Sequence, residues 1–140
     1  MSDTAPSSDT VTRHAACSCG QLRVEVDGAP VRISVCHCLA CQRRTGSAFG
    51  AQARWPADRV RISGEHTDWE RISDAGEVRT FSFCPTCGTT VFYGSPSQPD
   101  LVAVALGAFA DPSFPSPRFS VWEDRKHAWV EVRGDLERLG

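Results

Sequence analysis

A chain of 140 residues, 41% hydrophobic and 23% charged, has length for one core and not for two. A formal charge of −2 and a pI near 6.1 give no electrostatic reason to bind a nucleic-acid backbone or an anionic membrane surface. No apolar run approaches the roughly 20 residues that span a bilayer, and the polar opening MSDTAPSSDTVTRH has no apolar core of the signal-peptide kind, so the expected location is cytoplasmic. In a reducing compartment clustered cysteines are metal ligands before they are disulfides. The count of seven is also odd, which would leave one thiol over in any full disulfide scheme.

Residues 1–14 are rich in Ser, Thr, Asp and Pro and read as a disordered tail, with a domain over 15–133 and a short C-terminal tail over 134–140. Within the domain the pattern is mostly of period two. Residues 21–26 put Leu22, Val24 and Val26 on one face and Arg23 and Glu25 on the other, a half-buried strand closed by the turn Asp27-Gly28-Ala29-Pro30. A second strand over 31–35 leads into Val35, Cys36, His37 and Cys38, and 39–44 tolerates a short helical turn ended by Thr45-Gly46. Further strands are expected at 47–55, 60–62, 68–73, 77–83, 89–93, 101–107 and 118–122, with a last one at 130–133. No stretch has three turns of amphipathic helix, so the class is mainly β, with short strands that would gain stability from metal cross-links.

The cysteines fall into two sets. Cys84-Pro85-Thr86-Cys87-Gly88 is a zinc-knuckle sequence: two intervening residues let both sulfurs face one ion, and the following glycine accepts positive φ. Cys17-Ser18-Cys19-Gly20 is tighter, and together the two corners supply the four thiolates of a closed, structural tetrahedral site. A rubredoxin-like iron and a pair of unligated thiols beside a redox pair are the alternatives.

The second set, Cys36, Cys38 and Cys41 in VCHCLACQRRTGSAFG, supplies only three ligands, which leaves a zinc a free position of the kind found in catalytic sites. An exogenous thiol is the natural occupant, since zinc binds thiolate and lowers the pKa of the thiol. His37 as a fourth ligand, an iron–sulfur cluster, and a metal-free redox trio are the alternatives. Arg43 and Arg44 follow directly, and either could hold a substrate carboxylate through its planar fork or simply sit beside an anionic centre. Thr45, Gly46 and Ser47 could add a hydroxyl or amides to the same pocket. His14, His66, His127, Trp122, Trp129, Tyr93 and Asp111 read as surface, packing or turn residues.

The order CSCG, CHCLACQRRTGSAF, FCPTCGTTVF and LGAFADPSFPSPRFSVWEDRKHAW resembles the glutathione-dependent formaldehyde-activating enzyme (GFA) family, over about residues 17–129. Ala15-Ala16 departs from the glycine many members carry before the first ligand, which alters a turn and not a ligand. The resemblance implies an Mss4-like β-tent fold of short antiparallel strands and a carbon–sulfur lyase joining glutathione and formaldehyde. It implies Cys17, Cys19, Cys84 and Cys87 as structural zinc ligands and Cys36, Cys38 and Cys41 as ligands of a second, catalytic zinc. The expected partners are a small thiol such as glutathione and an aldehyde, with no nucleic acid and no membrane. The competing expectation is a non-catalytic zinc module that binds a thiol or a protein.

Overall fold

A computed structural model describes residues 11–140. The strands in chain order are β1 (Thr12–Ala16), β2 (Arg23–Asp27), β3 (Arg32–Cys36), β4 (Gly50–Pro56), β5 (Val60–Ser63), β6 (Thr67–Ile72), β7 (Val78–Phe83), β8 (Thr90–Gly94), β9 (Leu101–Ala105), β10 (Phe119–Val121) and β11 (Glu137–Arg138). One helix, α1 (Leu39–Thr45), follows β3, and single 3-10 turns occur at Ala57–Arg59, Leu106–Phe109 and Glu123–Arg125. Among the described residues the strands form a three-stranded sheet, β1-β2-β5, and an eight-stranded sheet, β11-β10-β3-β4-β9-β8-β7-β6. The fold is mainly β, as the period-two pattern requires.

The core lies between the small sheet and one face of the large one. Ala15, Leu22, Val24 and Val26 from the small sheet meet Ile33, Ala53, Trp55, Val91 and Val104 from the large sheet, with Phe109 and the partly buried Phe114 closing one end. Alternation then sends the other half of each central strand to the opposite face of the large sheet. Across strands, Cys36 faces Gly50, Ser34 faces Gln52 and Arg32 faces Arg54. Arg54 in turn faces Ala103, Ala103 faces Tyr93, and Tyr93 faces Phe81. One face of the large sheet is therefore core, and the other is a polar and aromatic floor.

Within the small sheet the backbones flanking β2 and β5 approach closely at Gly64. A Cβ there would stand 2.1 Å from the carbonyl oxygen of Gln21, and the residue has φ +100°. Gly64→Ala therefore forces backbone apart as well as straining φ, and should lower stability by about 2 kcal/mol or more in urea unfolding. An unchanged midpoint would show that the two backbones separate freely.

Three boundaries differ from the sequence expectations. Residues 1–10 lie outside the described residues, but 12–14 are not tail. β1 pairs with β2 from Thr12↔Asp27 to Ala16↔Arg23, and the Thr12 hydroxyl donates to Asp27 at 2.9 Å. The stretch looks polar because only Ala15 turns fully inward, so its order comes from β2 and not from its own pattern. The C-terminal tail likewise contains β11, whose two residues are exposed and are held by backbone bonds from Glu137 N to Arg118 O and from Leu139 N to Ser120 O. No strand forms over 130–133; Val130 instead closes a turn on the carbonyl of His127 at 3.0 Å. Nor is the large sheet wholly antiparallel. β10 runs parallel to β3 and β11 parallel to β10, because the long, proline-containing connection after β9 brings the chain back in the direction of β3.

Candidate metal centres

The outer cysteines sit on two corners of matching design. After β1, Cys17 N donates to Leu22 O and Gly20 N to Cys17 O; after β7, Cys84 N donates to Thr89 O and Gly88 N to Cys84 O. Gly20 (φ 86°) and Gly88 (φ 83°) both lie in the left-handed region, which glycine enters without strain. Thr89 ties the corners together by accepting from Ser18 N at 3.1 Å and bonding the Ser18 hydroxyl at 3.0 Å.

The four sulfurs lie within 4.8 Å of one another. Cys17 and Cys19 are 3.6 Å apart and Cys19 and Cys84 3.7 Å, close to the edge of about 3.8 Å of a tetrahedron with metal–sulfur bonds of about 2.3 Å. The surrounding donors suit thiolates. Cys17 Sγ accepts from Leu22 N at 3.3 Å, and Cys84 Sγ accepts from the Gln21 side-chain amide at 3.0 Å and from Thr86 N and Cys87 N. Burial raises the Cys84 pKa, but these donors, with Gln21 foremost, hold it below the usual thiol value. Thr89 holds Cys87 down to about 5. A compact anionic sulfur cage fits a soft or borderline cation.

The inner cysteines converge where β3 ends and α1 begins. Cys36 is the last residue of β3, and Cys38 caps α1, its sulfur accepting from Cys41 N at 3.3 Å. Cys41 lies one turn in, and Gly46 ends the helix in the left-handed conformation with its N–H on Gln42 O. These three sulfurs also lie within 4.8 Å of one another, with no further His, Asp or Glu donor among the described residues in the group. Hydrogen bonds from Cys36 and then Cys41 hold the Cys38 thiol far down, at about 2, while the same sharing pushes Cys36 up. One thiolate held by two thiols is a preformed three-sulfur donor set.

His37 is not part of that set. It is fully buried on the other side of the chain, its Nε2 within 2.9 Å of the Ser120 hydroxyl, which in turn donates to Glu123. Strand alternation is the reason: neighbouring residues in an extended chain point to opposite faces.

The cysteine trio opens into a cavity of about 490 Å³ on the polar face of the large sheet. Arg44 lines it, packed over the rings of Tyr93 (4.7 Å) and Phe81 (5.2 Å) and reaching Cys41 Sγ at 3.7 Å. Arg43 does not; it lines a separate shallow groove with Leu39, His127 and the exposed Trp129. Successive residues of a helix cannot share one face, so only one of the two arginines could reach the trio. Gly46 and Ser47 also belong to that groove, and the Thr45 hydroxyl is used within the helix end, on Cys41 O at 2.8 Å. Trp122 borders the cavity, in a left-handed conformation (φ 57°) unusual for so bulky a residue. His14, His66 and His127 are satisfied by Glu25, Asp68 and Gln42, and Asp111 makes the expected turn by accepting from Ser113 N.

Sequence reasoning missed most of the cavity wall. Its floor is a bonded row in which the Tyr93 hydroxyl donates to Gln52 and the Gln52 amide donates to Ser34, with Arg54 also on Ser34. Arg32, Arg71 and Arg79 complete the wall. Arg32 and Ser34 share the parity of Cys36 on one strand and were in principle legible; Arg71 and Arg79 depend on the register of the β6–β7 hairpin.

The model of the glutathione-dependent formaldehyde-activating enzyme family matches residues 12–125. The chain belongs to the GFA family. None of the curated proteins matches it. A crystal structure of a Rhodobacter sphaeroides protein resembles it with a TM-score of 0.53 at 20% identity, over 68% of this chain and 85% of that one, a likeness of fold. The family match spans both cysteine sets, so the two groups drawn together by the fold lie inside the stretch that defines the family. Among the described residues no helix is long and apolar enough to cross a membrane.

Proposed function

We propose that this GFA-family chain is a zinc-dependent carbon–sulfur lyase that forms or cleaves the adduct of a small, glutathione-like thiol with an aldehyde such as formaldehyde. The observation that carries the reading is a three-sulfur group, lacking a fourth protein donor among the described residues, set at the wall of a 490 Å³ cavity. In the forward direction the thiol loses its proton, a carbon–sulfur bond forms at the carbonyl carbon, and the carbonyl oxygen gains a proton to become a hydroxyl; cleavage is the reverse. Zinc, when bound, supplies a Lewis acid that favours the thiolate and polarises the carbonyl.

Cys36, Cys38 and Cys41 would hold that ion, and Cys17, Cys19, Cys84 and Cys87 a second, structural one. Arg44, fixed by two aromatic rings beside Cys41, would keep positive charge next to the reacting sulfur and offer its free edge to a carboxylate. The floor of Tyr93, Gln52 and Ser34 fixes the substrate side of the trio without adding a competing carboxylate.

The test is cobalt substitution followed by glutathione. Arrival of an external sulfur at the inner group should change the thiolate-to-cobalt absorption bands, and formaldehyde should then be consumed faster than in the uncatalysed mixture. Bands unmoved by glutathione or any small thiol would remove the reading in favour of a non-catalytic zinc module.

A further inference from the structure

His37 stands between two of the three inner sulfur donors, yet it is wholly buried and bonded to the chain that runs through β10 and the turn after it. Its N–H donates to Val121 O at 3.0 Å, and its carbonyl accepts from the Gln42 amide, which also donates to Arg125 O. The Ser120 hydroxyl gives its proton to Glu123, so it accepts from His37, and Nε2 carries the hydrogen. The line of bonds therefore runs from His37 through Ser120 to the Glu123 carboxylate. That carboxylate is itself fixed, with Lys126 at 3.3 Å and Arg138 at 3.8 Å, and the Glu123 N–H donates to Leu139 O at 2.8 Å.

Such an arrangement is costly. The imidazole and the hydroxyl are both fully buried, and an apolar side chain at position 37 would fill the space without stripping polar groups of water. The backbone departs from its ordinary range in the same turn. Trp122, between Ser120 and Glu123, is held at φ 57°, and bulky residues stay in that region where their surroundings over-determine them, most often at functional sites. What the line of bonds holds still is the backbone at residues 36–38. Torsions there aim the Cys36 and Cys38 sulfurs, one residue to either side of His37 and on the opposite face. The outer cysteines are set in another way, by two glycine turns and by Thr89.

We infer that Glu123 is a positioning residue of the inner sulfur group: acting through Ser120 and His37, it holds Cys36 and Cys38 at the spacing at which one ion takes both sulfurs. This rests on the reading of the inner cysteines as metal ligands and asks nothing of the thiol or the aldehyde. Hydrogen bonds one step removed from a metal's ligands are worth roughly 10- to 100-fold in its affinity.

The experiment is stepwise withdrawal of cobalt from the fully loaded chain by a chelator, followed at the thiolate-to-cobalt bands, with Cys38→Ser marking the outer group alone. Glu123→Gln and Ser120→Ala should each weaken the inner ion by roughly 10- to 100-fold and leave the outer ion unmoved. Because they act along one line of bonds, the double variant should lose no more than the worse of the two. His37→Gln, whose amide nitrogen can stand where Nε2 stands, should keep most of the inner affinity. His37→Leu, which fills the space without a donor, should lose it. A merely structural line of bonds would lower the melt of the loaded chain alone, or weaken both ions alike, and either result overturns the inference. So does equal inner affinity in His37→Gln and His37→Leu. Where Glu123→Gln does not fold, Ser120→Ala and the two His37 variants make the same decision. A parent chain that takes up a single cobalt fails one step earlier, removing the inner ion and the inference with it.

Discussion

Replacing Cys84 with alanine should leave the full-length chain unfolded at room temperature, seen as loss of a cooperative thermal transition and of metal from the purified protein. The sulfur is completely buried within the main core, packed with Cys17, Leu22 and Val91 where the small sheet meets the large one. It accepts from the Gln21 amide, Thr86 N and Cys87 N. Alanine strands these donors, and an unsatisfied buried polar group costs about 1–3 kcal/mol. It also removes one of the four sulfurs proposed to hold the structural zinc, and such an ion contributes on the order of 10 kcal/mol of folding free energy. A domain of this size has only about 5–15 kcal/mol in hand. The combined loss exceeds or equals the whole margin. Cys87→Ala should do less harm to packing, because Cys87 is exposed and lies outside the core, yet it should release the same ion. A Cys84→Ala protein that melts cooperatively with undiminished metal would show that the outer group does not hold the fold together.

What could be read beforehand follows what local sequence encodes. The knuckle glycines, the alternation in 21–26 and the spacing of Cys36, Cys38 and Cys41 are short-range signals, and each corresponds to the observed corner, strand or sulfur group. β1 and β11 were invisible because a strand with one inward side chain or none is specified by its partner. Arg43 and Arg44 looked equivalent as neighbours in sequence; the turn of α1 separates them, one into the cavity and one into the groove. The facing arginines of the cavity wall were beyond reach for a different reason. Arg32 and Arg54 are 22 positions apart, and only the β3–β4 register makes them a pair. The cavity is thus a product of pairing, whereas the two cysteine groups are a product of spacing.

Cys38→Ser should do the opposite of Cys84→Ala: keep the fold and lose the chemistry. Cys38 caps α1, its sulfur accepting from Cys41 N, and it stands on the cavity side of the large sheet, away from the core residues between the sheets. Serine is among the best N-caps, so the cap survives and stability should stay within about 1 kcal/mol of the parent. The donor set does not survive. The Cys38 thiol is held as thiolate by bonds from Cys36 and Cys41, whereas a serine hydroxyl stays protonated at neutral pH and is a poor partner for a soft or borderline cation. The variant should therefore melt like the parent, carry about one ion per chain fewer, show no change of cobalt bands with glutathione, and catalyse adduct formation on the order of 100-fold more slowly or not at all. Measured together on one preparation, melt, metal content and rate divide the two cysteine groups by role. Full activity in a Cys38→Ser protein lacking the inner ion would place the reaction elsewhere than at Cys36, Cys38 and Cys41, and a melt lowered as far as that of Cys84→Ala would make the inner group structural too.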